Sequence, residues 1–278
     1  MRNSVQRSIK LLLKDKLIDM TLQVLISCMH QTDHSIVTKS NIQSDVIVVN
    51  QCDKNQIEEY SFKNKIGEEC RVKFISTTER GLSRSRNMAI KNATADICLI
   101  CDDDEVLDDD YATKILKAFK ENSADVLAFQ IADIGKHYPA NKSKVGYIGA
   151  LKLASVQLAF RRRGVIENNI KFDETIGSGV SKSGGEENIF LYDCLKRRLI
   201  IFYVPIKIGR LLKGESQWFH GFTQECFYDH GIKTRKLMGR FLASLYAIHF
   251  VIKKYPIYHR DIKLYTVISS IYKGIYHQ

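Results

Sequence analysis

The sequence predicts an α/β fold: a mostly parallel central sheet flanked by helices, with a C-terminal helical extension. Three observations carry this. Apolar runs of strand length alternate with segments of helical periodicity. One run, Asp96-Ile97-Cys98-Leu99-Ile100-Cys101, has the continuous apolar character of a strand buried on both faces, and it leads straight into Asp102-Asp103-Asp104-Glu105. Polar clusters recur just past the ends of such runs, where open α/β sheets bind ligands. With 278 residues and 45% hydrophobic content, the chain can bury one α/β domain with additions and is not a disordered protein.

The elements follow in order. Val5, Ile9, Leu12, Leu13 and Leu17 recur at helical spacing among basic residues, which predicts an amphipathic N-terminal helix within residues 1–20 that packs on the domain or, as the alternative, touches a membrane. Leu22–Ser27 is a strand with a loop at Cys28–Gln31. Asp45–Val49 is a second strand, ending in Asn50-Gln51-Cys52-Asp53, and Val72–Ile75 is a third. A helix begins near Gly81 and carries Leu82, Met88 and Ile90 on its apolar face. The strand ending at Cys101 is the fourth. A helix over 109–121, a strand over Asp125–Ile131, a loop over 133–150 and a strand over Val156–Arg161 come next. Residues 173–185 are rich in glycine and serine and read as a hinged lid that delivers Glu186-Glu187-Asn188 to a helix N-terminus. Ile200–Val204 is the last strand, ended by Pro205. From about Gln217 the chain reads as helical, broken at Lys253-Lys254-Tyr255-Pro256. The expected domains are 1–20, an α/β domain over 21–220, and a basic helical extension over 221–278.

Seven cysteines lie scattered, without the paired spacing of a zinc site, and several fall inside apolar strands, which suits reduced thiols in a cytoplasmic compartment. Charged residues interrupt the early apolar run, so no signal peptide is expected, and the apolar stretch at Phe241–Ile252 is too short to span a bilayer. The net charge is +11, and residues 231–278 carry nine Lys or Arg against the single acid Asp261. Such a segment favours an anionic surface.

The acidic triplet holds the chemistry. Asp102 and Asp104 are two residues apart, so a continued strand would point them the same way with Asp103 opposite. Carboxylate oxygens suit Mg²⁺ or Mn²⁺, which bind through one or two carboxylates plus substrate phosphates. Taken alone, the triplet is a solvated turn leading into the helix at Asp108-Asp109-Asp110. The order of the other clusters argues otherwise. After the first strand's loop come Asn50-Gln51-Cys52-Asp53, then Arg86-Asn87 behind Gly81, then Asp102-Asp103-Asp104, then Gly185-Glu186-Glu187.

That order resembles the family 2 glycosyltransferases, which have the GT-A fold, over roughly residues 20 to 220. The resemblance implies an inverting hexosyltransferase of the bacterial polysaccharide type. It would move a sugar from a nucleotide-sugar, UDP-linked, to a hydroxyl of a saccharide or lipid-linked saccharide. It implies that Asp102 and Asp104 hold Mn²⁺ or Mg²⁺ against the diphosphate and that Asp103 contacts ribose or donor sugar. Glu105, where the family often has another Asp, would orient ligands from behind. Arg86 would lie near the nucleotide. Asn50 and Asp53 fall where the family reads the base, although Asn50-Gln51 replaces the usual acidic pair. Glu187 matches the general base, with Glu186 as the alternative. A helix N-terminus stabilises such a carboxylate as the anion. His220, beside Trp218, matches a position that holds metal or diphosphate in some relatives. The expected setting is the cytoplasm at the inner face of the cell membrane, with peripheral contact to anionic lipid and no nucleic-acid partner. Two other classes fit parts of the pattern. A metal-dependent nucleotidyltransferase also uses strand-end aspartates but leaves the Gly-Gly-Glu-Glu segment unexplained. A basic nucleic-acid-binding protein fits the C-terminal charge but not the acidic strand end.

Overall fold

The computed structural model describes residues 20–133, 135–180, 184–212 and 221–276. The helix expected over residues 1–20 lies, apart from Met20, outside them.

Alternating apolar side chains put two cores on one sheet. The strands are β1 (Leu22–Met29), β2 (Asp45–Gln51), β3 (Gln56–Lys63), β4 (Glu69–Thr77), β5 (Ile97–Asp102), β6 (Glu105–Leu107), β7 (Val126–Ala132), β8 (Ser143–Lys144), β9 (Leu158–Arg161) and β10 (Ile201–Leu211). Their order across the sheet is β3-β4-β2-β1-β5-β9-β7-β10-β6, with β8 paired to β10. The pairs β4/β2, β2/β1, β1/β5 and β7/β10 are parallel, and β9 is the antiparallel strand between β5 and β7. The other antiparallel pairs, β3/β4, β6/β10 and β8/β10, lie at the edges, so by paired residues the sheet is mostly parallel, as the sequence predicts. Successive residues of the buried strands face opposite sides. Val24, Ile26, Val48, Leu99 and Cys101 meet Ile115 and Phe119 of α3 (Tyr111–Glu121) on one side. Leu25, Ile47, Cys98 and Ile100 meet Ala89 and Ile90 of α2 (Leu82–Asn92), and Phe190 and Leu191 of α6 (Glu186–Lys196), on the other. The short helices α1 (Ile36–Lys39), α4 (Tyr147–Ala150) and α5 (Arg162–Glu167) complete the flanks.

Three expectations need correction. The strand β3 has no apolar run because it is an exposed edge that alternates against β4, with glutamates in its middle. The last strand does not stop at Pro205. It continues to Leu211 through a register shift between Tyr203 and Lys207, where the proline's missing N–H costs no ladder bond. The C-terminal helix also runs past Pro256. Helix α7 (Gln224–Tyr258) bends instead at Gly239, whose φ of 75° only glycine adopts readily, and α8 (Leu264–Tyr276) follows.

Helix α7 belongs to two cores. Leu237 packs into the second core, beside α6, while Ala243, Ala247, Val251 and Tyr258 join Val267, Ile271 and Ile275 of α8 in a third. No helix among the described residues is long and apolar enough to cross a membrane. The two C-terminal helices cross through glycines: a Cβ on Gly274 would lie 2.0 Å from the Tyr228 carbonyl oxygen, and one on Gly231 would lie 2.2 Å from that of Ile271. Gly274→Ala should therefore force the backbones apart and cost about 1–3 kcal/mol, read as a lower urea midpoint. An unchanged midpoint would contradict this packing.

Candidate active site

The site is set by where the parallel strands stop. The chain runs from β1 out to β2 and β4, then returns to β5 on the other side of β1. The β1/β5 boundary is therefore the topological switch point, outside whose strand ends open α/β sheets bind their ligands. Register places Ser27 of β1 opposite Asp102 of β5, and Cys28 opposite Asn50 of β2. Asp102 ends its strand, and Asp103 and Asp104 form a turn before β6. Strand geometry does not continue through the triplet, so the expected alternation of Asp102, Asp103 and Asp104 does not apply. Asp103 and Asp104 are exposed, and both carboxyls are raised by burial of one side and by repulsion from Asp102.

Helix α2 supplies the cation that answers this charge. Arg86 is fully buried. One terminal nitrogen donates to Glu186 Oε1 at 2.7 Å, the other to Asp102 Oδ1 and Ser155 Oγ, each at 2.8 Å. The guanidinium also lies over the Phe172 ring, 5.4 Å from its centroid. Burial alone would favour the neutral form, but Asp102 and Glu186 hold Arg86 firmly charged. Its planar fork holds these donors in a fixed plane, so that one group spans Glu186 on one side and Asp102 and Ser155 on the other.

The glycine-rich segment is fastened to the same helix, contrary to its reading as a hinged lid. The Leu82 N–H donates to the Ser178 carbonyl, Ser83 Oγ to the Ile176 carbonyl, and the Asn87 amide pairs both ways with the Phe172 backbone. From α7, Lys236 pairs with Asp173 and Thr175. Burial would raise the Asp173 carboxyl, yet the hydrogen bonds from Lys236 and Thr175 hold it below its usual range. Residues 173–180 are scaffold. Residues 181–183 lie outside the described ones.

The two glutamates at the start of α6 have different surroundings. Glu186 is buried and occupied by Arg86 and by the Gly185 N–H, at 3.1 Å. Glu187 keeps partial exposure, and burial together with the neighbouring Glu186 pushes its carboxyl up to about 7, while Lys233 and Arg86 pull it down. The helix N-terminus therefore does not hold Glu187 as a low-pKa anion, since desolvation outweighs the dipole. Lys233 of α7 faces this pair. Burial lowers its ammonium, and Glu187 and Glu186 oppose that. A Cβ on Gly185, whose φ is 115°, would lie 2.5 Å from Lys233 Cδ. Lys136 stands near Glu187 too, its ammonium donating to the Lys152 carbonyl and Gln157 Oε1.

A family model described as glycosyl transferase family 2 matches residues 21–183, more than half of the chain. The chain belongs to glycosyl transferase family 2. Among solved structures it resembles S. aureus TarS. It is 16% identical to the fragment 1–349 in complex with UDP-GlcNAc, with a TM-score of 0.62, covering 92% of this chain and 82% of that one. Without ligand the same fragment gives 16% identity, a TM-score of 0.60, and coverage of 92% and 81%. Against TarS itself the values are 13%, 0.57, 88% and 46%. At these identities the likeness speaks for the fold. A comparison with curated protein sequences finds no match.

The other candidates of this glycosyltransferase fall as follows. Asn50 is fully buried, and its amide is spent on the Gln31 backbone, accepting at 3.0 Å and donating at 2.9 Å. It shapes the loop after β1. Gln51 accepts from the Gly81 N–H at 2.7 Å. Asp53 is exposed at the rim, paired with Arg80 at 2.6 Å. Glu105 turns inward: burial, then Asp102, pushes its carboxyl far above the usual range, against the pull of the Cys101 thiol and the Asp102 backbone. It is withdrawn from the acidic cluster. The Leu212 N–H bonds the Asp104 carbonyl at 2.8 Å just before residues 213–220, which include Trp218 and His220 and lie outside the described residues. Lys233 and Lys136 escaped the sequence reading, because no local pattern links them to Glu187.

The described residues hold no preassembled cage of three or more metal-ligating side chains. The exposed Asp103 and Asp104, raised by repulsion within the triplet, nonetheless leave carboxylate oxygens open to a hard cation that would complete its shell with phosphate oxygens and water. Truncation by Arg86→Ala should leave Glu186 buried and unpaired, at a cost of about 3–5 kcal/mol in urea denaturation. A loss below ~1 kcal/mol, the range of a surface pair, would contradict the role assigned to Arg86.

Proposed function

We propose that the enzyme transfers a sugar with inversion from a UDP-linked nucleotide-sugar to a hydroxyl of a saccharide or lipid-linked saccharide in surface-polysaccharide assembly. The observation that carries this is the Arg86 bridge. It ties Asp102, at the end of β5, to Glu186, next to a glutamate balanced near neutrality. Arg86 thus joins the donor-side acid Asp102 to Glu186, the neighbour of the acceptor-side base Glu187. The TarS complexes with UDP-GlcNAc and UDP, on the same fold, support a UDP-linked donor.

Asp102 and Asp104 are the groups that would hold Mg²⁺ or Mn²⁺, and Asp103 faces ribose or donor sugar. Bound there, the cation offsets the charge that develops on the departing nucleoside diphosphate. His220 is a further ligand candidate. Glu187 takes the proton of the acceptor hydroxyl as its oxygen attacks the anomeric carbon. A base near 7 is half ionised at neutral pH and strong enough to accept that proton. Glu186 and Arg86 fix where Glu187 stands. Asp53, with Arg80, sits where the base end of the nucleotide would pass. Asn50 acts through the loop it locks. The free cysteines support a cytoplasmic setting, and the basic C-terminal helices support peripheral contact with the inner face of the membrane.

The reading is tested by incubating the enzyme with nucleotide-sugars in Mn²⁺ or Mg²⁺ and scoring donor hydrolysis. Binding and hydrolysis of none would overturn it, and pyrophosphate release would favour nucleotidyl transfer. Asp104→Ala should lose metal-dependent donor binding. Glu187→Gln should bind donor normally and lose transfer by about 10²–10⁴-fold. Normal transfer would remove Glu187 as the base. The activity kcat/KM should rise with pH through about 7, because the base works ionised. In Lys233→Met that limb should move to higher pH, since Lys233 lowers the Glu187 pKa. An unmoved limb would detach Lys233 from the site.

A further inference from the structure

Helix α7 beyond Gly239 has two apolar faces and uses one. Ala243, Ala247, Val251 and Tyr258 are buried against α8. Phe241, Leu245, Ile248, Ile252 and Tyr255 recur at intervals of four, three, four and three, so they form a stripe along one side of the helix, and all are exposed. Phe241 and Ile252 keep 75% and 69% of their surface in solvent, which single stray apolar side chains do, but not a stripe of five. Leu264 and Ile268 of α8 extend the face, and a groove of about 480 Å³ runs between the helices. Of the twenty large apolar side chains exposed among the described residues, eleven fall within 241–276, so the exposure is local and not a general property of the surface.

Charge says what covers it. Arg240, Lys253, Lys254, Arg260, Lys263 and Lys273 fringe the hairpin, Asp261 is the acid among them, and none of the six has an ion-pair partner among the described residues. A second copy related by a two-fold axis would set this basic fringe against itself. An anionic bilayer meets both needs: acyl chains take the stripe, headgroups take the lysines and arginines, and tyrosines such as Tyr255 and Tyr265 suit the boundary. No described helix is fit to cross the membrane, so the hairpin would lie in its surface.

We propose that the α7–α8 hairpin is a membrane-docking surface, with the Phe241–Tyr255 stripe sunk into an anionic leaflet. This deepens the peripheral contact named above by giving it a face and residues. The same helix carries Lys233 and Lys236 to the active site before the bend at Gly239. Docking therefore fixes the height and tilt of the acceptor side above the lipid, as an enzyme acting on a lipid-linked chain requires.

The test is co-sedimentation of the full chain with vesicles of phosphatidylcholine alone or with phosphatidylglycerol, alongside donor hydrolysis in detergent-free solution. Binding is expected to the mixed vesicles and to fall at least tenfold on phosphatidylcholine alone or in high salt. Ile248→Glu with Ile252→Glu should lose vesicle binding by at least tenfold while keeping the wild-type circular dichroism and donor hydrolysis. Lys253→Glu with Lys254→Glu should weaken binding to the anionic vesicles without touching the core. Failure of wild type to bind anionic vesicles, binding unchanged in both variants, or a solution dimer that Ile248→Glu dissociates in place of a vesicle effect would each overturn the proposal. Loss of donor hydrolysis in every form would instead count against the transferase reading and leave the vesicle result to judge the surface.

Discussion

A guanidinium buried among carboxylates is the constraint on which this site depends. Burying a charge is costly unless it is paired and hydrogen-bonded, and Arg86 is both, with Asp102, Glu186 and Ser155 around it. The arrangement forces three remote parts of the chain into one register: the helix after β4, the end of β5 and the start of α6. Phe172 closes the stack beneath the cation, and Asn87, one residue on, fastens the backbone that carries Phe172. The residues Arg86-Asn87 thus work as a unit, one holding acids and the other holding the segment that leads to them.

The C-terminal helix is part of this economy. Its first half packs into the second core and presents Lys233 to Glu187 and Lys236 to Asp173. Cations from α2 and α7 therefore flank the glutamate pair from two elements, and the level at which Glu187 titrates is a balance: desolvation and Glu186 against Lys233 and Arg86. Movement of α7 would alter that balance.

Much of the fold was legible because its strands are buried. Continuous apolar runs marked β1, β2, β5 and β7, and their ends marked the site. Where burial is one-sided the signal fails: β3 alternates along an exposed edge with Glu58 and Glu59 in it, and Pro205, which locally reads as a terminator, sits in a bulge. For the site, residue types in order pointed to Asp102, Arg86 and Glu187, but not to directions. The turn at Asp103-Asp104 breaks strand alternation, Glu105 faces inward, and Asn50 spends its amide on Gln31. Glycines in 173–180 suggested mobility, whereas hydrogen bonds from α2 hold them. Lys233 could not be found, since only tertiary packing brings it to Glu187.

Asp102 and Glu186 are held by the same Arg86 guanidinium, through which they should be energetically coupled. A double-mutant cycle on stability, Asp102→Asn with Glu186→Gln, measures this directly by urea denaturation. Non-additivity of about 0.5–3 kcal/mol is expected, and it should vanish when the cycle is repeated in Arg86→Met. Additive effects in the Arg86 background, or coupling that survives its removal, would contradict the coupling through Arg86.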